Sequence, residues 1–94
     1  MALMSAFRDN AAARRYELDH ADGPSFADYR DQGEARLITH VETPAAARGK
    51  GYAAQLMAAI ADSARMENVK LVPRCGYAVA YFRRHPEAAD VLAP

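Results

Sequence analysis

The sequence predicts an α+β fold with a mixed sheet, in which an antiparallel meander is followed by a helix, a parallel strand and a short C-terminal helix. Three observations lead to this prediction. Apolar and polar side chains alternate over several stretches before residue 43, as in strands with one buried face. From residue 51 onward, apolar side chains recur every three to four positions, as on one face of a helix. The short apolar run at 69–72 then has the composition of a buried strand reached by a crossover helix.

Three strands are predicted in the N-terminal half. The first places Tyr16, Leu18 and His20 on one face, and the second runs over 25–30. The third runs over 35–42, and turns rich in glycine and proline separate the three strands, which favours an antiparallel meander. One face of the third strand is predicted to carry Ala35, Leu37, Thr39 and Val41, and the other Arg36, Ile38, His40 and Glu42.

Two helices and one further strand are predicted after Pro44, which ends the third strand. The first helix runs from 51 to about 66, the strand occupies 69–72, and the second helix runs from 76 to about 84. The predicted core faces contain Tyr52, Leu56, Met57, Ile60 and Ala64 in the first helix and Ala78, Tyr81 and Phe82 in the second.

Composition and length exclude several classes of protein. With 94 residues and equal numbers of acidic and basic side chains, the chain is expected to form one domain over 1–94 and not to bind nucleic acid. Its longest apolar run, 77–82, is too short to span a membrane, which needs about 20 residues, and 1–6 lacks the basic flank of a signal peptide. The single cysteine, Cys75, excludes an internal disulfide, and no metal site is expected. We therefore expect a soluble cytoplasmic protein, as a monomer or weak homodimer.

A candidate phosphate-binding loop lies between the third strand and the first helix. Residues 48–53 read Arg-Gly-Lys-Gly-Tyr-Ala. Two glycines let the backbone turn tightly and approach a ligand, and the free N–H groups at a helix start favour an anion. The spacing fits neither a Walker loop nor the dinucleotide fingerprint. From spacing alone, an exposed glycine-rich connector is an equally good interpretation.

Four segments of the chain carry motifs of one known family. Residues 48–53 fit the pattern Arg/Gln-x-x-Gly-x-Gly/Ala, and 37–44 is similar to the strand that precedes this pattern. Residues 72–77 resemble Val-x-Pro-x-Cys-Pro-Phe, and 81–87 resemble Tyr-x-x-x-His-Pro-Glu. These motifs, in this order, resemble the GNAT superfamily of acetyl-coenzyme A-dependent N-acetyltransferases, in its small single-domain YjdJ-like branch. The resemblance implies a GNAT-like fold and N-acetyltransferase activity.

The resemblance also implies where the co-substrate, acetyl-coenzyme A, binds. Its pyrophosphate would rest on the backbone amides of the loop and the first helical turn. The pantetheine arm would run beside the strand that ends at Thr43, between it and the strand at 69–72, with the thioester pointing towards Cys75. The implied loop residues are Arg48, Gly49, Lys50, Gly51, Tyr52 and Ala53.

Cys75 is the first of three candidate catalytic residues. Its thiolate, favoured by the helix that begins just after it, would act as nucleophile or base. The alternative is a buried and inert cysteine, which is common for a free thiol. The branch has proline and phenylalanine where this chain has Gly76 and Tyr77, and loss of the proline loosens the start of the helix.

His40 and Tyr81 are the other two candidates. His40 shares a strand face with Glu42 and would accept the proton of an attacking amine. A surface face with Arg36 paired nearby is the alternative, which we favour for Glu42. Tyr81, or else Tyr77, would protonate the leaving thiolate, although an aromatic residue at helical spacing more often belongs to the core.

Two classes of function follow. The first is transfer of an acetyl group to an unidentified amine, either by direct attack on the thioester or through an acetylated Cys75. The alternative is a non-catalytic module that binds coenzyme A or acyl-coenzyme A as a sensor or accessory subunit. A nucleic-acid adaptor is disfavoured by the neutral charge.

Overall fold

A computed structural model describes residues 6–94 and contains a five-stranded mixed sheet with two α-helices. The strands are β1 (Phe7–Asn10), β2 (Arg15–Leu18), β3 (Ser25–Gln32), β4 (Ala35–Glu42) and β5 (Lys70–Pro73), and the helices are α1 (Tyr52–Glu67) and α2 (Gly76–Arg84). Short 3-10 helices occupy Ala11–Ala13, Ala45–Ala47 and Pro86–Val91. The strand order is β1-β2-β3-β4-β5, with antiparallel pairing up to β4 and parallel pairing between β4 and β5. The predicted fold class is confirmed.

Two N-terminal features differ from the sequence prediction. Strand β1 was not predicted, because Phe7 is its only large apolar residue; it pairs with Leu18 of β2. His20 was predicted to continue the face of the first strand, but β2 ends at Leu18. Most of the segment 1–6, considered as a signal peptide, lies outside the described residues.

A bulge in β4 overturns the predicted division of its two faces. Asp28 of β3 pairs with His40, whereas the next residue, Tyr29, pairs with Ile38. Thr39 is therefore an extra residue in the register, and its hydroxyl donates to the Asp28 carbonyl at 3.3 Å. An inserted residue reverses the alternation beyond it. Ile38 is therefore buried in the core against which Val41 also packs, although the two were predicted on opposite faces.

The core lies between the sheet and α1. Helix α1 contacts β2 and β3. Its buried face contains the predicted Leu56, Met57, Ile60 and Ala64 together with Ala61, whereas Tyr52, also predicted for the core, is only partly buried. Fully burying a large aliphatic side chain contributes about 1.5–3 kcal/mol, so this face fixes α1 on the sheet. The buried cluster contains Tyr16, Ala27, Tyr29, Ile38, Leu56, Met57, Ile60, Ala61, Ala64, Leu71, Ala78, Tyr81, Phe82, Ala88 and Val91.

The C-terminal segment closes the fold against α1 and β5. Helix α2 has the predicted bounds and buries the predicted face, but the 3-10 helix after it was not predicted. The guanidinium of Arg65 on α1 donates to Asp90 at 2.7 and 2.9 Å, and Leu92 forms a parallel bridge with Leu71 of β5. Over residues 6–94, no helix is long and apolar enough to cross a membrane, and no acidic, histidine or cysteine cluster has the grouping of a metal site.

Candidate functional site

Strand β5 ends where its pairing with β4 ends, whereas β4 continues. They pair over four residues, from Ala35 with Lys70 to Ile38 with Pro73, and the Arg74 N–H then donates to the Ile38 carbonyl at 2.9 Å. Strand β4 continues to Glu42 with no further partner on β5 among the described residues. In residues 6–94, the β5-facing edge of β4 is therefore without a strand partner from Thr39 to Glu42, and its backbone polar groups need other partners.

The loop after β4 presents free backbone N–H groups. Gly49 and Gly51 have φ values of 85° and 80°. This left-handed conformation is unfavourable in free energy for any residue that has a side chain. Gly51 is the N-cap of α1, where no side chain of the described residues accepts the first N–H groups and no acidic residue lies in the first turn. The positive end of the helix is therefore open to an anion.

A cavity of about 230 Å³ lies at this helix start. Six of the seven predicted coenzyme-binding residues line it. The seventh is Lys50, whose ammonium group donates a hydrogen bond to Asp22 Oδ2 at 2.9 Å. That hydrogen bond raises the pKa of Lys50. The lining residues are Thr43, Ala47, Arg48, Gly49, Gly51, Tyr52, Ala53, Ala54 and Tyr77.

The side chain of Arg48 is tied to the end of β4. Its Nε donates to the Thr43 carbonyl at 3.2 Å, which holds the guanidinium beside the cavity. Arg48 is exposed, and no ion pair to it occurs over residues 6–94. Its charge is therefore available to an anion at the helix start.

His40 and Glu42 contact each other, as their shared strand face predicted. His40 Nε2 lies 2.9 Å from Glu42 Oε1, and both side chains are about half exposed (54% and 49%). The expected proximity of Arg36 to Glu42 is wrong, because Arg36 donates to Asp31 at 2.6 Å and to the Tyr16 hydroxyl at 2.8 Å. Glu42 can therefore orient the His40 imidazole, and Arg36 does not compete with His40 for the Glu42 carboxylate.

Cys75 is the N-cap of α2. Its Sγ accepts the Ala78 N–H at 3.4 Å, and the residue is partly buried. Cys75 follows Pro73 by two residues and His40 follows Ile38 by two, so the two candidates lie just beyond the last paired residues of β5 and β4. Neither lines the cavity at the start of α1.

The two candidate tyrosines differ in position. Tyr81 is buried (7% exposed) and stacks on His85 with 4.1 Å between ring centroids. Tyr77 is 40% exposed and lines the cavity beside the loop. Partial burial raises the pKa of both phenols, so both hold their protons at neutral pH. The structure therefore brings Tyr77, not Tyr81, to the cavity, and only its place in the Cys-Gly-Tyr motif could have indicated this.

Comparison with known proteins agrees with this geometry. Residues 15–91 match the sequence profile described as GCN5-related N-acetyltransferase. The solution NMR structure of a GCN5-like protein from Staphylococcus aureus superimposes with a TM-score of 0.67 at 18% identity, over 99% of this chain and 91% of that one. This second likeness shows the fold, and no curated protein matches the sequence. The predicted superfamily is confirmed, whereas the YjdJ-like branch stays a prediction. The chain belongs to the GCN5-related N-acetyltransferase family.

Proposed function

We propose that this N-acetyltransferase moves an acetyl group from acetyl-coenzyme A to a primary amine in the cytoplasm. One observation carries the proposal: an uncapped helix start, with two left-handed glycines just before it, opens into a cavity that Thr43, the residue after β4, also lines. Acetyl-coenzyme A would supply the acetyl group as an activated thioester.

The residues around the cavity fit a pyrophosphate. A Cβ at Gly49 or Gly51 would meet no atom within 4 Å, so the backbone is open on that side for a ligand. Anions are stabilised where several N–H groups point outward from a helix start. The residues that would hold the coenzyme are Thr43, Arg48, Gly49, Lys50, Gly51, Tyr52 and Ala53, with Lys50 acting through its backbone.

The acid–base roles can be assigned to residues that follow the paired segments of β4 and β5. His40, oriented by Glu42, would take a proton from the amine at its free ring nitrogen, directly or through water. Tyr77 would donate its phenolic proton to the departing sulfur, since its hydroxyl is protonated at neutral pH and it follows Cys75, towards which the thioester would point, by two residues. Tyr81, implied by the family resemblance, is the alternative donor but is buried on α2.

Cys75 offers a second route, in which its thiolate accepts the acetyl group before the amine does. Its position just beyond the last paired residue of β5 is compatible with this role. The hydrogen bond from the Ala78 N–H to Sγ holds the sulfur at the start of α2. The direct route needs no such step.

A non-catalytic coenzyme A-binding module is the second candidate function. The half-exposed positions of His40 and Glu42 favour it, because the described residues form no enclosed site for an acceptor around them. In that case a partner would complete the acceptor site.

Calorimetry with acetyl-coenzyme A, combined with detection of free thiol, tests the proposal. Binding together with thiol release in the presence of primary amines is expected. Binding without release under any amine would favour the non-catalytic module. No binding at millimolar concentration would refute both functions.

A further inference from the structure

We propose that His20 is a positioning residue of the coenzyme site, which holds the start of α1 and orients the Thr43 hydroxyl. This inference rests on the proposed function. His20 lies outside every motif that carries the family resemblance, and it follows β2 in the turn that leads to β3. Its contacts link that turn to the loop that would hold the pyrophosphate.

The first contact is an aromatic stack. The His20 and Tyr52 rings lie 3.7 Å apart between centroids, with 16° between their planes. Tyr52 is the first residue of α1 and lines the cavity. The imidazole therefore fixes the residue at which the free N–H groups of the helix begin.

The second contact is a chain of three polar groups. His20 Nε2 lies 2.8 Å from Ser25 Oγ, which lies 3.1 Å from Thr43 Oγ1, and Ser25 is fully buried. His20 Nδ1 is buried without a partner in the part of the chain that the structure describes. A proton there would be an unpaired buried donor, so the neutral imidazole keeps its proton on Nε2.

This tautomer sets the direction of the whole chain. Nε2–H donates to Ser25, whose hydroxyl then donates to Thr43 Oγ1. The hydrogen of the Thr43 hydroxyl is thereby free to donate into the cavity that Thr43 lines. A coenzyme carbonyl or phosphate oxygen is the acceptor that it fits.

Neighbours of His20 in the same turn also contact the loop. Asp22 accepts from Lys50 at 2.9 Å, and a Cβ at Gly23 would lie 3.4 Å from Pro44 Cγ. The turn between β2 and β3 therefore supports the loop at several points, of which His20 is the one that reaches the helix start.

The test compares His20→Ala with His85→Ala, a matched control. His85 also stacks on a tyrosine, Tyr81, at 4.1 Å and 21°, and lies outside the loop. At a temperature where both variants are folded, His20→Ala should bind coenzyme A about tenfold more weakly by calorimetry, because small misplacements of a binding group are costly. His85→Ala should keep wild-type affinity. Equal affinity of His20→Ala and wild type would overturn the proposal, whatever the melting temperatures.

Two conservative variants and a ligand-free measurement sharpen the test. His20→Phe keeps the stack and His20→Gln keeps a donor for Ser25, so each should recover part of the lost affinity. Without coenzyme, the amide NMR shifts of Gly49 and Gly51 should move in His20→Ala but not in His85→Ala. If the wild-type protein does not bind coenzyme A, the proposed function fails. Unmoved glycine amides would then also overturn the positioning role of His20.

Discussion

The Ile38 carbonyl accepts a hydrogen bond from the Arg74 N–H, and Ile38 is also the last residue of β4 that pairs with β5, opposite Pro73. The bulge at Thr39 begins at the next residue of β4. A bulge bends its strand and increases the local twist, so the course of β4 changes from this residue onward. The bulge and the end of the β4–β5 pairing therefore fall at neighbouring residues, and the unpaired edge of β4 begins within the strand rather than in the loop that follows.

Replacing Gly51 by valine should abolish coenzyme A binding. A β-branched residue at φ +80° costs on the order of 1–3 kcal/mol of stability and displaces the helix start. Gly33→Val is the matched control, because Gly33 is also left-handed (φ +61°), has open space around it and lies in the turn between β3 and β4. Calorimetry should find binding lost in Gly51→Val alone, and retained binding would remove the loop from the site.

Replacing Tyr77 by phenylalanine should lower the rate of thiol release about 10²-fold, with little change in the affinity for acetyl-coenzyme A. The reason is loss of the proton donor from the cavity wall. Tyr81→Phe, which removes a hydroxyl from a buried ring, should keep most of the rate. The opposite ranking of the two variants would assign the proton to Tyr81.

The variants Cys75→Ser and Cys75→Ala distinguish a helix-capping role of Cys75 from a role as nucleophile. Serine can accept the Ala78 N–H, so it should preserve stability, whereas alanine should lose about 1 kcal/mol in urea unfolding. In the direct route both variants keep transferase activity. Acetylation of wild-type Cys75 detected by mass spectrometry, with inactive serine and alanine variants, would establish the route through the thiol.

Gly76→Pro should stabilise the protein by about 0.4–1 kcal/mol, seen as a higher melting temperature. Gly76 is the first residue of α2, a position at which proline is favoured. Cys75 has φ −108° and ψ 157°, an extended conformation that a residue before proline prefers. A Cβ at Gly76 would meet no atom within 4 Å. Gly76→Ala, which also restricts the unfolded chain, should gain less; a destabilised proline variant would contradict the assigned helix start.

The free energy of unfolding should fall as the solution is acidified, because Asp31 becomes protonated. A hydrogen bond from Arg36, together with the charges of Arg36 and Arg14, lowers the pKa of Asp31 in the folded protein. Its contribution is therefore complete above about pH 4, the unfolded value, and is lost as pH falls through the lower folded value. Urea midpoints should show a shallower acid slope for Asp31→Asn. Glu34→Gln, an exposed neighbour with no ion pair in the described chain, should keep the wild-type slope.

The helices and the central strands could be predicted because their signals are local. The Ala78, Tyr81 and Phe82 spacing placed α2 correctly, and the strand predicted over 25–30 matches β3 except for the last two residues of that strand. Strand β1 could not be found in this way, because its four residues, Phe-Arg-Asp-Asn, acquire their strand conformation by pairing with β2. Intrinsic propensity does not report such pairing.

The lining of the candidate cavity could be predicted where glycine and helix chemistry define it, whereas features that depend on strand register could not. The loop at 48–53 follows from conformational freedom and helix polarity, both readable in sequence. The Thr39 bulge leaves no such signal, since one inserted residue changes which face follows without changing composition. The stack of His20 on Tyr52 joins residues 32 positions apart in sequence, and no periodicity connects them.

The bridge between Leu92 and Leu71 has a consequence for self-association. Ala93 also donates its N–H to the Leu71 carbonyl at 2.8 Å, so the last residues occupy part of the outer edge of β5. An edge strand with free backbone groups is a template on which other chains can add strands and aggregate. Residues 92–93 therefore cover part of the β5 edge. Their removal would expose backbone groups on which strands of other chains can add.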